Sequence, residues 1–158
     1  MQWIIEGGSE RQYSIHNALK AMTADADDWV GIHDGARPFL GREVLERLLA
    51  AVPNFAGVLP TVAVKDTIKR ALHSSGEVLD TVDRSQLFAA QTPQVFRFGT
   101  IAQAHQRAFE SNFLTTDDCA LIEAEGGTIG MVEGDYRNIK ITTPEDLRVA
   151  QVWVQDFV

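Results

Sequence analysis

The sequence predicts an α/β domain in which helices cover both faces of a mostly parallel sheet and a β-hairpin projects from it. Short β-type runs alternate with segments whose apolar residues recur at three-and-four spacing, as in βαβ units. No internal repeat, low-complexity tract or linker-like change in composition divides the 158 residues. In the middle of the chain two extended stretches flank a polar turn, and these predict the hairpin.

The first helix is predicted from a glycine turn and a capping pattern. Trp3 to Ile5 is a short β-type run that ends at Gly7-Gly8. Ser9 and Gln12 then have the spacing of a capping box, which starts a helix. The predicted buried stripe of this helix consists of Ile15, Ala18, Leu19 and Met22.

Two strands and a second helix follow. The strand candidates are residues 29–33 and 57–62, and the helix between them ends before Pro53. Its predicted buried face consists of Val44, Leu45, Leu48, Leu49 and Val52. Residues 66–71 and 78–84 then form the two sides of the hairpin, which we call the arm and place at approximately 64–86.

The last third of the chain predicts three helices and one strand, residues 129–132. Ile101, Ala104 and Ala108 mark one helix, and a second starts near Thr115 and Asp118 and ends at Gly126-Gly127. The sequence from Thr143 to Asp146 is a strong start signal for the final helix. The buried side of that helix is predicted to contain Leu147, Ala150, Trp153, Val154 and Phe157.

Composition excludes several classes of function. The formal net charge of −8 argues against a nucleic-acid binder, because such proteins need clustered cations. The longest apolar runs are too short to span a membrane, and no charged-then-apolar leader opens the chain. Cys119 is the only cysteine, so an internal disulfide and a cysteine zinc cluster are excluded, and a reducing cytoplasm fits.

Polar loops at the predicted carboxyl ends of strands are the expected ligand-binding region. The glycine turn at 7–14 leads into a helix start and suits an anion or nucleotide, although it is also ordinary turn chemistry. Asp34 and Arg37 follow the 29–33 strand and suit a metal-bound phosphate or a ribose, or they form a pair that stabilises the loop.

Two further groups of cations leave alternatives open. In the arm, Lys65, Lys69 and Arg70 surround Thr67, and Arg84 follows Asp83. They suit an anionic ligand or partner, or a solvated hairpin edge. Asn138, Lys140 and Thr142 alternate with isoleucines and are predicted to share one strand face, either as a phosphate clamp or as a half-exposed strand. The residues from Thr116 to Asp118 are most simply a helix cap with two acids.

Seven motifs in a fixed order resemble the methylerythritol phosphate cytidylyltransferases of non-mevalonate isoprenoid biosynthesis. They are Gly-Gly-Ser-Glu-Arg-x-x-Ser (7–14), His-Asp-Gly-Ala-Arg-Pro (33–38), Lys-Asp-Thr-Ile-Lys-Arg (65–70), Thr-Val-Asp-Arg (81–84), Gln-Thr-Pro-Gln (91–94), Thr-Asp-Asp (116–118) and Asn-Ile-Lys-Ile-Thr-x-Pro-Glu-Asp-Leu (138–147). The resemblance covers essentially the whole chain. It implies a nucleotidyltransferase-type Rossmann-like fold and a homodimer formed through the arm.

The resemblance also implies the chemistry: CMP is transferred from CTP to 2-C-methyl-D-erythritol 4-phosphate, with magnesium, and pyrophosphate is released. The residues it assigns to CTP are Gly7, Gly8, Arg11, Ser14, Asp34 and Arg37, with Asp34 also near the metal indirectly. Those it assigns to the polyol phosphate are Thr67, Arg84, Thr116, Lys140 and Thr142. Lys140, Asp34 and Arg84 are the implied catalytic residues. Positioning and charge neutralisation carry such a reaction, so no protein nucleophile is expected.

The resembling family begins with a glycine-rich loop that cradles the triphosphate, whereas this chain opens at Gly7-Gly8. We therefore expect residues 1–158 to form one truncated nucleotidyltransferase domain with little activity by itself. Two alternatives stay open at this point. One is a ribitol phosphate cytidylyltransferase, and the other is a non-catalytic dimerisation or binding module that retains the arm.

Overall fold

The structure is a computed structural model and describes residues 4–155. This part of the chain contains seven strands and five helices. The strands are β1 (Trp29–Ile32), β2 (Gly57–Ala63), β3 (Lys69–Ala71), β4 (Val78–Thr81), β5 (Phe88–Ala90), β6 (Gln94–Arg97) and β7 (Ile129–Glu133). The helices are α1 (Arg11–Ala21), α2 (Arg42–Ala51), α3 (Phe98–Ser111), α4 (Cys119–Ala124) and α5 (Pro144–Val154). Short 3-10 turns occupy Val52–Asn54 and Arg84–Gln86.

The main sheet is mixed. Strand β2 pairs with β7 in parallel on one edge, and on its other edge it pairs antiparallel with β6 at its start and with β5 at its end. Strand β1 in turn pairs antiparallel with β6. The prediction of a mostly parallel sheet is therefore wrong for the described residues. The predicted strands β1, β2 and β7 do share one direction, but β6, which the sequence pattern did not reveal, lies antiparallel between β1 and β2.

Helices lie on both faces of this sheet. Neighbouring residues of a strand point to opposite faces. Leu59 and Phe96 accordingly pack into a core cluster with α1, α3 and α4, whereas Val58 and Val95 pack into a second cluster with α2. The predicted stripes of α2 and α3 supply buried residues to these clusters, although Leu45 and Leu49 of α2 are exposed.

The arm is a small separate sheet. Strands β3 and β4 pair antiparallel, with Lys69 opposite Thr81, and every residue of the two strands is exposed. Gly76 has a φ of 69° in the turn between them, a conformation that glycine adopts without strain. The strands are shorter than the predicted stretches 66–71 and 78–84.

The helix ends show which local signals decide the structure. Helix α5 has the predicted start, a capping box in which Thr143 and Asp146 bond to each other's backbone N–H. Helix α1 also starts where predicted, but the Ser9–Gln12 capping box is wrong. The N-cap residue of α1 is Glu10, which makes no side-chain cap bond, and the buried Gln12 amide bonds to residues 113 and 115.

Two predicted strands do not form. Ile4 and Ile5 are outside any strand, and Trp3 lies outside the described residues. Residues 138–142 are a loop, so Asn138, Lys140 and Thr142 do not share a strand face. The loop is fixed by tertiary contacts, since the Ile141 N–H donates to the Ala36 carbonyl. Of the predicted buried side of α5, Ala150 is buried and Leu147 is exposed, while Phe157 lies outside the described residues.

Candidate functional site

A polar cleft of about 270 Å³ opens where five segments of the chain meet. Arg11 enters it from the start of α1, and Asp34 and Arg37 enter from the loop after β1. Thr116 lies before α4, and Lys140 lies in the loop before α5. The structure therefore brings five of the predicted site residues together, although they are spread over almost 130 positions of the chain.

Asp34 is the centre of the cleft. Its side chain is 12% exposed, and its Oδ2 lies 3.2 Å from Lys140 Nζ and 3.5 Å from Arg37 Nε. Its Oδ1 lies 3.4 Å from Arg11 Nε. Burial by itself would raise the pKa of Asp34, but Lys140 first, and then Arg11 and Arg37, lower it below its ordinary value. Asp34 is therefore a carboxylate at neutral pH and holds three cations at one point.

The loops that carry Asp34 and Lys140 are tied together through the backbone. Arg37 donates from Nη1 to the Asn138 carbonyl at 2.7 Å, and the buried amide of Asn138 donates to the Thr92 carbonyl at 2.9 Å. Thr92 also fixes the start of the Asp34 loop, because its hydroxyl accepts from the Asp34 N–H at 3.0 Å. The position of Lys140 relative to Asp34 thus depends on fixed loops as well as on their ion pair.

Two buried glutamines hold the loop that carries Thr116. The Gln12 side chain donates to the Phe113 carbonyl at 2.8 Å and accepts from the Thr115 N–H at 3.0 Å. On the other side of the loop, Gln94 accepts from the Asp118 and Cys119 N–H groups at 3.0 and 3.1 Å. These contacts place Thr116 at the cleft, although its own side chain makes no hydrogen bond to another residue between positions 4 and 155.

The glycine turn lies beside α1. The Ser14 hydroxyl accepts from the Gly8 N–H at 3.0 Å and donates to the Glu10 carbonyl. A Cβ on Gly8 would lie 2.4 Å from Tyr13 Cβ, so only glycine allows this close approach. Gly7 lies close to Ser14, whose Oγ would be 3.1 Å from a Cβ there. Gly7, Gly8 and Ser14 do not line the cleft itself.

The remaining predicted site residues lie apart from the cleft. Thr67 precedes β3 and Arg84 follows β4, so both belong to the arm, and Arg84 donates to the Lys65 carbonyl. Thr142 stabilises the start of α5, because its N–H and hydroxyl both donate to Asp146. A single chain therefore does not bring Thr67 or Arg84 to Asp34.

Sequence reasoning missed several residues of the cleft. Gln91, Thr92 and Gln94 line it, and Asp117 lies beside Gln94, whose amide donates to it at 2.8 Å. The available signal was the Gln-Thr-Pro-Gln motif, to which the resemblance had assigned no role. Asp117 and Asp118 are more than a helix cap, because Asp118 is 1% exposed and bonds to Arg11 at 2.8 Å.

Cations and carboxylates balance at this site. Arg11, Arg37 and Lys140 are offset by Asp34, Asp117 and Asp118. Within residues 4–155 no group of three or more His, Cys, Asp or Glu side chains is placed to hold a metal ion. The donor set described here therefore does not form a protein-held magnesium site, since the oxygens of Asp34 already face cations.

Comparison with known proteins decides the family. A family model described as "IspD: 2-C-methyl-D-erythritol 4-phosphate cytidylyltransferase" matches residues 2–156. The chain belongs to this family. Its relatives include a 2-C-methyl-D-erythritol 4-phosphate cytidylyltransferase of Bacillus licheniformis, 47% identical over 148 residues, and one of Syntrophotalea carbinolica, 50% identical over 151 residues. The matches cover 94% and 96% of this chain but 62% and 64% of those proteins.

Solved structures of the IspD family have the same fold. The 2-C-methyl-D-erythritol 4-phosphate cytidylyltransferase from Thermus thermophilus matches with a TM-score of 0.86 at 32% identity, over 96% of this chain and 72% of its own. The one from Francisella tularensis matches with a TM-score of 0.84 at 31% identity, over 92% and 69%. No helix within residues 4–155 is long and apolar enough to cross a membrane.

Proposed function

We propose that this IspD-family protein transfers CMP from CTP to 2-C-methyl-D-erythritol 4-phosphate and releases pyrophosphate. The observation that carries the proposal is the Asp34 cluster, in which one carboxylate with an exposed fraction of 12% holds Arg11, Arg37 and Lys140 around a single cleft. Fixed cations aimed at one point are what a transferring phosphoryl group requires. The names of the relatives, which cover most of this chain, supply the substrate.

The reaction balances without a protein nucleophile. A phosphate oxygen of the polyol phosphate attacks the α-phosphorus of CTP, a new P–O bond forms, and the bond to the β-phosphate breaks. Lys140 is the cation best placed to stabilise charge on the α-phosphate, because its ammonium is half-exposed and oriented by Asp34. Thr116 and Thr142 are assigned to the polyol phosphate, and Gly7, Gly8 and Ser14 to the cytosine side.

Magnesium enters this proposal as part of the substrate. The cations at the cleft are paired with carboxylates, so they offset only part of the charge of a triphosphate. We therefore propose that CTP binds as its magnesium complex, with Asp34 near the phosphates and not a direct ligand of the ion.

The free, buried Cys119 is compatible with a cytoplasmic location, which we include in the proposal.

A homodimer formed through the arm completes the proposed site. Strands β3 and β4 pair only with each other within the described residues, and Val78 and Leu79 are more than half exposed. An isolated two-stranded hairpin is barely stable in water, so a second surface is needed to cover it. We propose that the arm reaches a partner protomer, where Thr67 and Arg84 bind the polyol phosphate.

We also propose that the 158-residue polypeptide turns over slowly by itself. It spans 62% of the length of the Bacillus licheniformis relative, and its cleft has no surplus of positive charge. A lost cationic contact to a transferring phosphate costs about two to three orders of magnitude in rate. Fusing the unmatched part of that relative to this chain is expected to raise turnover by a comparable factor.

The test is a transfer assay followed by ³¹P NMR. The fused protein and the 158-residue chain are each supplied with MgCTP and either 2-C-methyl-D-erythritol 4-phosphate or D-ribitol 5-phosphate. We expect the methylerythritol product, and Lys140→Ala is expected to lower turnover about 100-fold or more. Arg42→Ala removes an exposed cation of α2 whose ion-pair partner within residues 4–155 is Glu46 alone, and it serves as the control.

Preference for ribitol phosphate would replace the proposed substrate. Absence of any transfer by the fused protein, with a stable dimer and no saturable CTP binding, would favour the non-catalytic dimerisation module. Equal turnover by Lys140→Ala and Arg42→Ala would overturn the role of the cleft.

A further inference from the structure

A buried histidine lies directly behind the cleft. The His105 side chain is fully buried in α3, and its Nε2 lies 3.0 Å from Oδ1 of Asp118, which is also buried. The other carboxylate oxygen of Asp118 accepts from Arg11 Nη2 at 2.8 Å. Since Arg11 contacts Asp34, and Asp34 contacts Lys140, polar contacts run without a gap from the core to the cleft.

Packing does not explain this histidine. The other buried residues of α3 are apolar: Ile101, Ala104 and Ala108. Burying an imidazole against a carboxylate costs free energy that an apolar side chain of similar size avoids. Within the described residues, Asp118 is the only hydrogen-bond partner that the ring has, because its Nδ1 bonds to none. A carboxylate only accepts, so Nε2 carries the hydrogen of this bond.

The contact with His105 restricts how the Asp118 carboxylate can rotate. One oxygen is held by the ring, which leaves the other aimed at Arg11. Arg11 itself is a long side chain with 36% of its surface exposed, and it makes its tightest contact with Asp118. A guanidinium held at one edge presents its Nε in a fixed direction, and here that direction is toward Asp34.

We propose that His105 is a positioning residue for the cleft: through Asp118 it holds the Arg11 guanidinium against Asp34 and so sets the place of the Lys140 ammonium. Its effect on transfer rests on the proposed function. Its effect on Arg11 does not, because that is a property of the folded chain alone.

The first part measures Arg11 directly. The Nε–H signal of Arg11 is observed by ¹H–¹⁵N NMR and assigned by its loss in Arg11→Lys. Gln and Asn differ only in reach at position 105, since the Gln amide nitrogen can take the place of Nε2 whereas the shorter Asn places its nitrogen near Nδ1. We expect His105→Gln to keep the slowly exchanging Arg11 signal and His105→Asn and His105→Leu to lose it.

A matched control separates positioning from general packing. Ile101→Val trims a fully buried apolar side chain in the same helix and removes no hydrogen-bonding group. The Arg11 signal is expected to persist in this variant. Loss of the signal in Ile101→Val, its loss in His105→Gln, or its survival in folded His105→Asn would each overturn the proposal. His105→Asn keeps a polar side chain, so the test stands even where His105→Leu does not fold.

The second part is kinetic. In the fused protein, His105→Asn is expected to lower kcat about tenfold while KM for MgCTP changes by less than about threefold, because misplacement of a positioned group acts mainly on the transition state. His105→Gln is expected to restore at least about half of the wild-type kcat. An equal loss in both variants would contradict the proposal. An inactive wild-type fused protein would overturn the proposed function. The Arg11 signal would still show whether His105 positions Arg11 through Asp118.

Discussion

In the cleft, Asp34 is 12% exposed and contacts three cations. In the arm, by contrast, every residue of β3 and β4 is exposed, and within the described chain these strands pair only with each other. The cleft is fixed by contacts between distant segments of one chain, such as Gln12 with Thr115. The arm has contacts that are almost entirely local.

This difference separates two halves of the proposed chemistry. Cleft residues are oriented before any ligand binds, which suits the nucleotide that must be held for transfer. Arm residues are exposed, which suits the proposed contact with a partner protomer. Variants of the cleft and of the arm test the separation, from the largest expected effect to the smallest.

Asp118→Ala is expected to cost the most stability. It leaves Arg11 and the buried His105 without their shared partner, and breaking a buried pair costs about 3 kcal/mol. The measurement is urea unfolding followed by circular dichroism. The matched control is Glu125→Ala, which breaks the solvated pair with Arg107 and is expected to have a far smaller effect. Equal losses of unfolding free energy in the two variants would mean that the buried contacts of Asp118 with Arg11 and His105 do not stabilise the cleft.

Leu79→Asp is expected to break the arm's association and leave the cleft intact. The substitution places a charge on a side chain that is 51% exposed in one chain and proposed to be covered in the dimer. We expect the dimer Kd to rise at least about tenfold, or about 1.4 kcal/mol, by analytical ultracentrifugation. Glu77→Gln, in the turn of the arm, is the control. A wild-type chain that is monomeric, or a variant with unchanged Kd, would contradict the role given to the arm.

Asp34→Asn tests the cleft through pH. The pKa of Asp34 is lowered in the folded protein, so its ion pairs contribute stability that is present above the unfolded pKa of about 3.9 and is lost as pH falls through the lower folded pKa. The variant is therefore expected to be less stable than wild type at pH 7, and the gap is expected to close below about pH 4. A gap that is constant from pH 7 to pH 3, measured by urea unfolding, would show that these ion pairs add nothing.

Local sequence signals predicted the elements that local contacts determine. Helix α5 starts at Thr143 because its capping box lies within four residues, and β2 forms from an apolar run that is bounded by turn residues. The shared direction of β1, β2 and β7 in the sheet followed from the alternation of strands and helices. The resemblance then placed Asp34, Arg37 and Lys140 in one site, and the structure brings them together.

What the pattern missed depends on contacts between distant residues. The side chain of Gln12 was predicted to cap its own helix, yet its partners lie more than 100 positions away. Strand β6 is four residues long and begins and ends with a polar residue, Gln94 and Arg97. It therefore shows no clear alternation of apolar and polar residues. Burial of His105 and Asp118 likewise depends on tertiary packing, since α1, α3 and α4 pack into one core cluster. Spacing places His105 on the predicted apolar stripe of α3, four residues after Ile101, but it reveals neither the burial of Asp118 nor the bond between the two residues.

The smallest expected effect concerns the two predicted helix starts, at Thr143 and at Ser9. Thr143→Ala is expected to lower the free energy of unfolding by about 1 kcal/mol, because it removes the acceptor for the Asp146 N–H. Ser9→Ala is expected to change it by less than about 0.5 kcal/mol, since Ser9 caps nothing in α1. Thermal unfolding of both variants measures the two changes in unfolding free energy. Equal losses would show that Ser9 does cap α1.

The most direct test of the account is calorimetric titration of MgCTP into the 158-residue chain and two variants that each lose one cation. Lys140→Ala removes the ammonium beside Asp34, and Arg70→Ala removes an arm cation that pairs with Asp80. We predict that Lys140→Ala weakens MgCTP binding at least about tenfold and that Arg70→Ala leaves it unchanged. Equal weakening in both, or full binding by Lys140→Ala, would show that the nucleotide does not bind in the Asp34 cleft.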